Sequence, residues 1–195
     1  MNFAQMWLLG YFHPNRLVDA LKSKPAPHYG FYAQLLRAML DALLLYLPLA
    51  LLGRQPPTPS FLSFISSDQY YLALVGLTPF VLSAEWLLGA APIHLILRLG
   101  QRPSDIDQIL NLSGMAALVV GAFLLVWDWA WFFLGGLNQY FLRISHLLID
   151  IWAIVITVIG LKRILGVPVW LGIVLSILLI AAAMPFAIMF MRAPF

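Results

Sequence analysis

Six ionisable side chains stand inside long apolar stretches or at their ends: Arg37, Asp41, Glu85, His94, His146 and Asp150. A charge in lipid is costly, so each needs a partner or a task. Three chemistries fit these residue types. In the first, the groups satisfy one another and orient the helices that carry them. Arg37 then neutralises Asp41, four residues on, or Glu85, and His146 bonds Asp150, also four residues on. In the second, Asp41, Glu85 and Asp150 converge from three helices as a cation or proton path, with His94 and His146 as relays. In the third, Glu85, His146 and Asp150 ligate a metal, since zinc accepts imidazole nitrogen and carboxylate oxygen. The third is the weakest. There is no HExxH motif, and Glu85 and His94, nine residues apart, fall on opposite faces of a straight helix. No metal site is assigned. Ser83, Ser113 and Ser176 lack a GxSxG-type setting, so no catalytic residue is assigned either.

The elements that must position these groups are membrane spans. The chain has 195 residues, of which 63% are hydrophobic and 10% charged. Soluble domains run nearer to about 25% charged. The mean hydropathy is +0.92 over the whole length. These values describe an integral membrane protein without a large extramembrane domain. The expected fold is all-α: five transmembrane helices in one bundle, over about 31–52, 71–99, 106–126, 141–161 and 169–191. The second of these is longer than the roughly 20 residues a span needs. It also carries Pro79 and Pro92, which read as interruptions. In the third, Ser113, Ala117 and Gly121 form a ridge at four-residue spacing, which lets helix backbones approach closely. That ridge could serve within one bundle or between two copies. Ser104 or Asp105 caps this helix. The cluster from Trp127 to Phe133 reads as an interfacial aromatic belt closing the span, and 135–138 as the following turn.

Residues 1–29 form an arm ahead of the transmembrane domain, 30–195. Phe3 to Phe12 reads as a short apolar segment in the interface. A helix then opens at Pro14, with Leu17, Val18 and Leu21 as an apolar stripe beside Arg16, Asp19 and Lys22. The stripe is expected to anchor on the membrane surface, or to dock a soluble partner. The first ten residues lack the basic start and cleavage site of a signal peptide. With the N-terminus in the cytoplasm, three of the 11 Lys and Arg residues (Arg54, Arg143 and Arg192) lie outside and the rest inside. That bias favours a cytoplasmic N-terminus and an outside C-terminus, in a cell or inner membrane. The chain has no cysteine, which excludes disulfides and thiolate chemistry. No basic run with interleaved aromatics suggests nucleic acid.

Three segments carry a resemblance: PNRLVDALKSKP near the N-terminus, APIHLILRLGQRPSDIDQILNLSGMAALV across the second and third spans, and GLKRILGVPVWLGIVLSILL before the last. In layout they resemble the Yip family of small five-span membrane proteins, whose eukaryotic members interact with Rab/Ypt GTPases. The paired glycine usual in the loop is replaced around Gly100-Gln101-Arg102, and the arm is short. The eukaryotic Rab role is therefore not carried over. The resemblance implies a five-helix membrane domain of the Yip type, in a short, prokaryote-like member. The role expected of the chain is that of a non-catalytic scaffold or adaptor in membrane organisation or transport. Membrane lipids would be its partners, with a protein partner at the arm or the cytoplasmic turns; no cofactor other than lipid is expected. The alternative is a small ion- or proton-coupled transporter using Asp41, Glu85 and Asp150.

Overall fold

In a computed structural model, the structure describes residues 1–24, 26–56, 61–62, 64–134 and 139–190, without the side chains of Gln139 and Ala187. The expected turn at 135–138 and Arg192 lie outside the described residues. The elements are α1 (Phe3–Phe12), α2 (Pro14–Lys22), α3 (His28–Asp41), a π-helical turn (Ala42–Tyr46), α4 (Leu47–Leu51), α5 (Tyr70–Leu99), α6 (Ile106–Phe133), α7 (Gln139–Leu165) and α8 (Val169–Phe190). No strand occurs among the described residues. Five helical stretches are long and apolar enough to cross a membrane: α3 with α4, then α5, α6, α7 and α8. The chain is thus an all-α integral membrane protein.

The first span is not one regular helix. Pro48 has no N–H, and its ring crowds the carbonyl four residues back, that of Leu44. The backbone widens into the π turn just before it. The released Leu44 carbonyl accepts a hydrogen bond from the Trp129 indole of α6 at 2.7 Å. The expected interruption of the second span, in contrast, does not occur. Pro79 and Pro92 sit within one continuous helix of 30 residues. Near Pro79 the Thr78 hydroxyl donates to the Leu74 carbonyl and the Ser83 hydroxyl to that of Pro79, both at 2.6 Å. Such back-bonding and packing let a membrane helix tolerate proline.

The central element is α6, which is buried without interruption from Gln108 to Ala116. Asp105 caps it, accepting from the N–H groups of Asp107 and Gln108 at 3.0 and 3.2 Å. It runs on through the aromatic cluster to Phe133, one to two turns beyond the expected end. Against it lies α3, so closely that a Cβ on Gly114 would stand 2.7 Å from the Cα of Gly30. Only a pair of glycines allows that approach. The Ser113–Ala117–Gly121 ridge lies on the same part of α6. The Ala117 carbonyl accepts from Arg37, and Gly121 abuts the Arg37 side chain, so the ridge is used inside one bundle.

The arm differs from the expected surface anchor. Leu17, Val18 and Leu21 are fully buried in the core cluster with residues of α6 and α7, as is Met6 of α1. The stripe is covered by protein, not by lipid. The opposite edge of α1, with Leu8 and Phe12, is exposed. Polar groups fasten the arm: the Trp152 indole donates to the Gly10 carbonyl at 2.9 Å, and Arg163 donates to both Asp19 carboxylate oxygens at 3.0 and 2.8 Å. We call this side of the bundle the arm end.

Candidate functional site

Arg37 and Asp41 share one face of α3, four residues apart. The Arg37 Nε lies 3.6 Å from Asp41 Oδ2, an ion pair without a close hydrogen bond. One Arg37 terminal nitrogen donates to the Ala117 carbonyl at 3.4 Å, at the long limit. The Nε itself is buried without a hydrogen-bond partner. The absence of a side chain on Gly121 makes room for the guanidinium, since a Cβ there would stand 2.6 Å from Nε. Arg37 is therefore largely covered but loosely held.

Three carboxyls lie within electrostatic reach of this guanidinium: Asp41, Glu85 of α5 and Asp150 of α7. Asp41 is buried, whereas Glu85 and Asp150 are half-buried. Neither Glu85 nor Asp150 has a hydrogen bond or close ion pair among the described residues. One turn before Arg37 stands Gln34, only 3% exposed. Its amide nitrogen donates to the Leu82 carbonyl of α5 at 2.7 Å, three residues from Glu85. Its amide oxygen has no partner. The polar centre is thus assembled from α3, α5, α6 and α7. From α8, charge-free over its described residues, it takes no ionisable group.

One expected pairing is different, and one expected relay lies outside the cluster. His146 does not bond Asp150. Its Nε2 stands 2.7 Å from Asp128 Oδ1, on α6, while Asp150 is coupled to it only through space. The reason is helix length: because α6 continues through the tryptophan cluster, Asp128 reaches the level of His146. His94 stands apart from the cluster. On the unbroken α5 it faces away from Glu85, and its Nδ1 meets the Ser104 hydroxyl at 2.9 Å. It ties the end of α5 to the loop before α6.

Sequence reasoning missed Asp128, which the aromatic belt concealed, and three amides: Gln34, Gln108 and Asn111. Asn111, fully buried, accepts from the Gly30 N–H at 2.8 Å and donates to the Lys24 and Ala26 carbonyls at 3.1 and 2.7 Å. Gln108 donates to the Lys24 carbonyl at 3.0 Å. Together they hold the turn between arm and first span. The signal for them is the one that revealed the charges: a polar side chain in an apolar helix needs a partner. Their three-residue spacing also places both on one face.

Among the described residues, no group of three or more His, Asp or Glu side chains could hold a metal ion. Compared with known proteins, the chain matches no family model, no curated protein and no solved structure.

Proposed function

We propose that this integral membrane protein is a non-catalytic scaffold or adaptor of the Yip type, in a cell (inner) membrane with its N-terminus in the cytoplasm. One observation carries the reading: the arm is built into the bundle as a rigid platform. Asn111, Gln108, Trp152 and Arg163 all spend their hydrogen bonds on holding it. Around it Arg16, Lys22, Arg102 and Lys162 stay exposed, while Lys24 is half-buried with its ammonium over the Tyr29 ring. A surface fastened to the bundle and carrying exposed cations suits anionic lipid headgroups or an acidic face of a protein. Removing the arm would uncover the α6 and α7 core residues that Met6, Leu17, Val18 and Leu21 cover, so point changes are the better test. A photo-crosslinking residue placed at Arg16 or Arg102 in cells should give discrete protein or lipid adducts that the same residue at Arg54 or Arg143 does not. Equal patterns at both ends would overturn the reading.

The second reading, a small ion- or proton-coupled transporter using Asp41, Glu85 and Asp150, is favoured by a different observation. One guanidinium faces three carboxyls. On this reading, proteoliposomes should show a cation or proton flux that Glu85→Gln abolishes while the fold persists. Flux that is absent, or unchanged in the variant, would count against it.

A further inference from the structure

The polar centre has more acid than base. Arg37 is the guanidinium in electrostatic contact with its carboxyls, and the His146 imidazole is already engaged with Asp128. That leaves one guanidinium for Asp41, Glu85 and Asp150. Asp41 is the carboxyl that makes an ion pair with it. Two half-buried carboxyls remain, each without a hydrogen-bond partner among the described residues. In a low-dielectric interior, surplus negative charge is neutralised by proton uptake or by a bound cation. Metal-binding geometry is lacking among the described residues. A second observation points to a donor at this seam: the Gln34 amide oxygen is a buried acceptor with nothing to accept from. That oxygen requires a donor, and an O–H group on a carboxylic acid or on a water beside it supplies one, as an N–H group would.

We infer that the centre is a binding site for exchangeable protons, held on Glu85 and Asp150 and displaced by Arg37. The inference uses the cluster of the second reading but does not rest on transport. The exchange balances simply. The carboxyl O–H bond breaks, the proton passes to water, and the electron pair stays on the carboxylate. The guanidinium can then move from Asp41 towards that new carboxylate. The weak hold on Arg37, at 3.6 Å from Asp41 and 3.4 Å from the Ala117 carbonyl with Nε free of hydrogen bonds, permits such a shift. The neighbouring groups that enter the balance are Asp128 of α6, His146 of α7 and Tyr46 of the π turn, which couples to Asp41 and Asp128.

The sequence offers a direct test. Glu85 is the sole glutamate among the eight acidic residues. Carboxyl-13C glutamate incorporated into the native full chain therefore reports on this one side chain without any substitution. In nanodiscs of neutral phosphatidylcholine at neutral pH, Glu85 should give the vibrational signature of a protonated carboxyl. That signature should shift in heavy water and stay unchanged when sodium is replaced by choline. Arg37→Gln removes the competing cation, so the proton should stay on Glu85 to a higher pH than in the native protein. An ionised Glu85 at neutral pH would overturn the inference. So would a signal that follows sodium, which would mark a bound metal cation. An unmoved midpoint in a folded Arg37→Gln would remove Arg37 as the competitor; if that variant does not fold, the native-protein spectrum decides. A protonated Glu85 in a protein without flux would leave the proton site standing and sink the transport reading.

Discussion

Asn111 illustrates how much one buried amide can govern. It satisfies three backbone groups at once, on the two sides of the turn between arm and first span. Replacing it with leucine keeps the branched side-chain skeleton but leaves the Gly30 N–H and the Lys24 and Ala26 carbonyls without this partner. Each orphaned buried group costs about 1–3 kcal/mol. Lys24 keeps Gln108 as an alternative donor, so the expected loss is about 3 kcal/mol rather than the full sum. Gln108→Leu should cost less, because one of its polar atoms is already unpartnered. Thermal unfolding in detergent, monitored by circular dichroism, checks the order; equal losses would show that Asn111 is not the clamp. The identities of the ionisable residues were legible in the sequence, but their pairing was not. His146 could be matched to Asp150 by spacing alone, whereas its partner Asp128 lies on another helix. No local rule reports that distance.

At the scale of elements, proline acts in opposite ways in two helices. On α5 it leaves the helix unbroken, while Pro48 follows a π turn and frees the Leu44 carbonyl for Trp129. Trp129→Phe should leave that carbonyl unpartnered, at a cost of about 1 kcal/mol. Amide exchange over Leu47–Leu51 should then rise about fivefold. In a Pro48→Ala background the added N–H can meet the same carbonyl, so the second substitution should matter less. Additive effects in the two backgrounds would show that Pro48 and Trp129 are not coupled. The proline positions are plain in the sequence. Whether a proline widens or merely occupies a helix depends on which neighbour can reach the freed carbonyl.

Across the whole molecule, the arm is held mostly by apolar burial. Leu17, Val18 and Leu21 are fully covered, and each such side chain contributes about 1.5–3 kcal/mol. The Asp19–Arg163 pair is about half exposed on both sides, at 52% and 44%. An exposed pair of this kind adds no more than about 1 kcal/mol. It therefore sets the register of the arm, while the stripe supplies the hold. Because the chain has no cysteine, Val18→Cys gives a single labelling site. Asp19→Arg should speed its modification by no more than about fivefold, and adding Arg163→Asp should restore the native rate. A much larger effect would mean that the ion pair, not the stripe, holds the arm.

The sequence by itself determined the class of molecule: an all-α chain with five apolar spans, an amphipathic arm and a small set of intramembrane polar groups. These properties are local, because hydropathy and helical period are carried by neighbouring residues. Tertiary structure decided what each polar group meets. It placed the stripe of α2 against α6 and α7, His146 against Asp128, His94 against Ser104, and Arg37 among three carboxyls from three helices. Those outcomes depend on how far each helix runs, how it is rotated about its own axis and how closely it packs. Gly30 and Gly114 set the separation of α3 and α6, and Gly121 opens the space that Arg37 occupies. Such contacts join residues 80 or more positions apart, beyond the reach of any sequence periodicity.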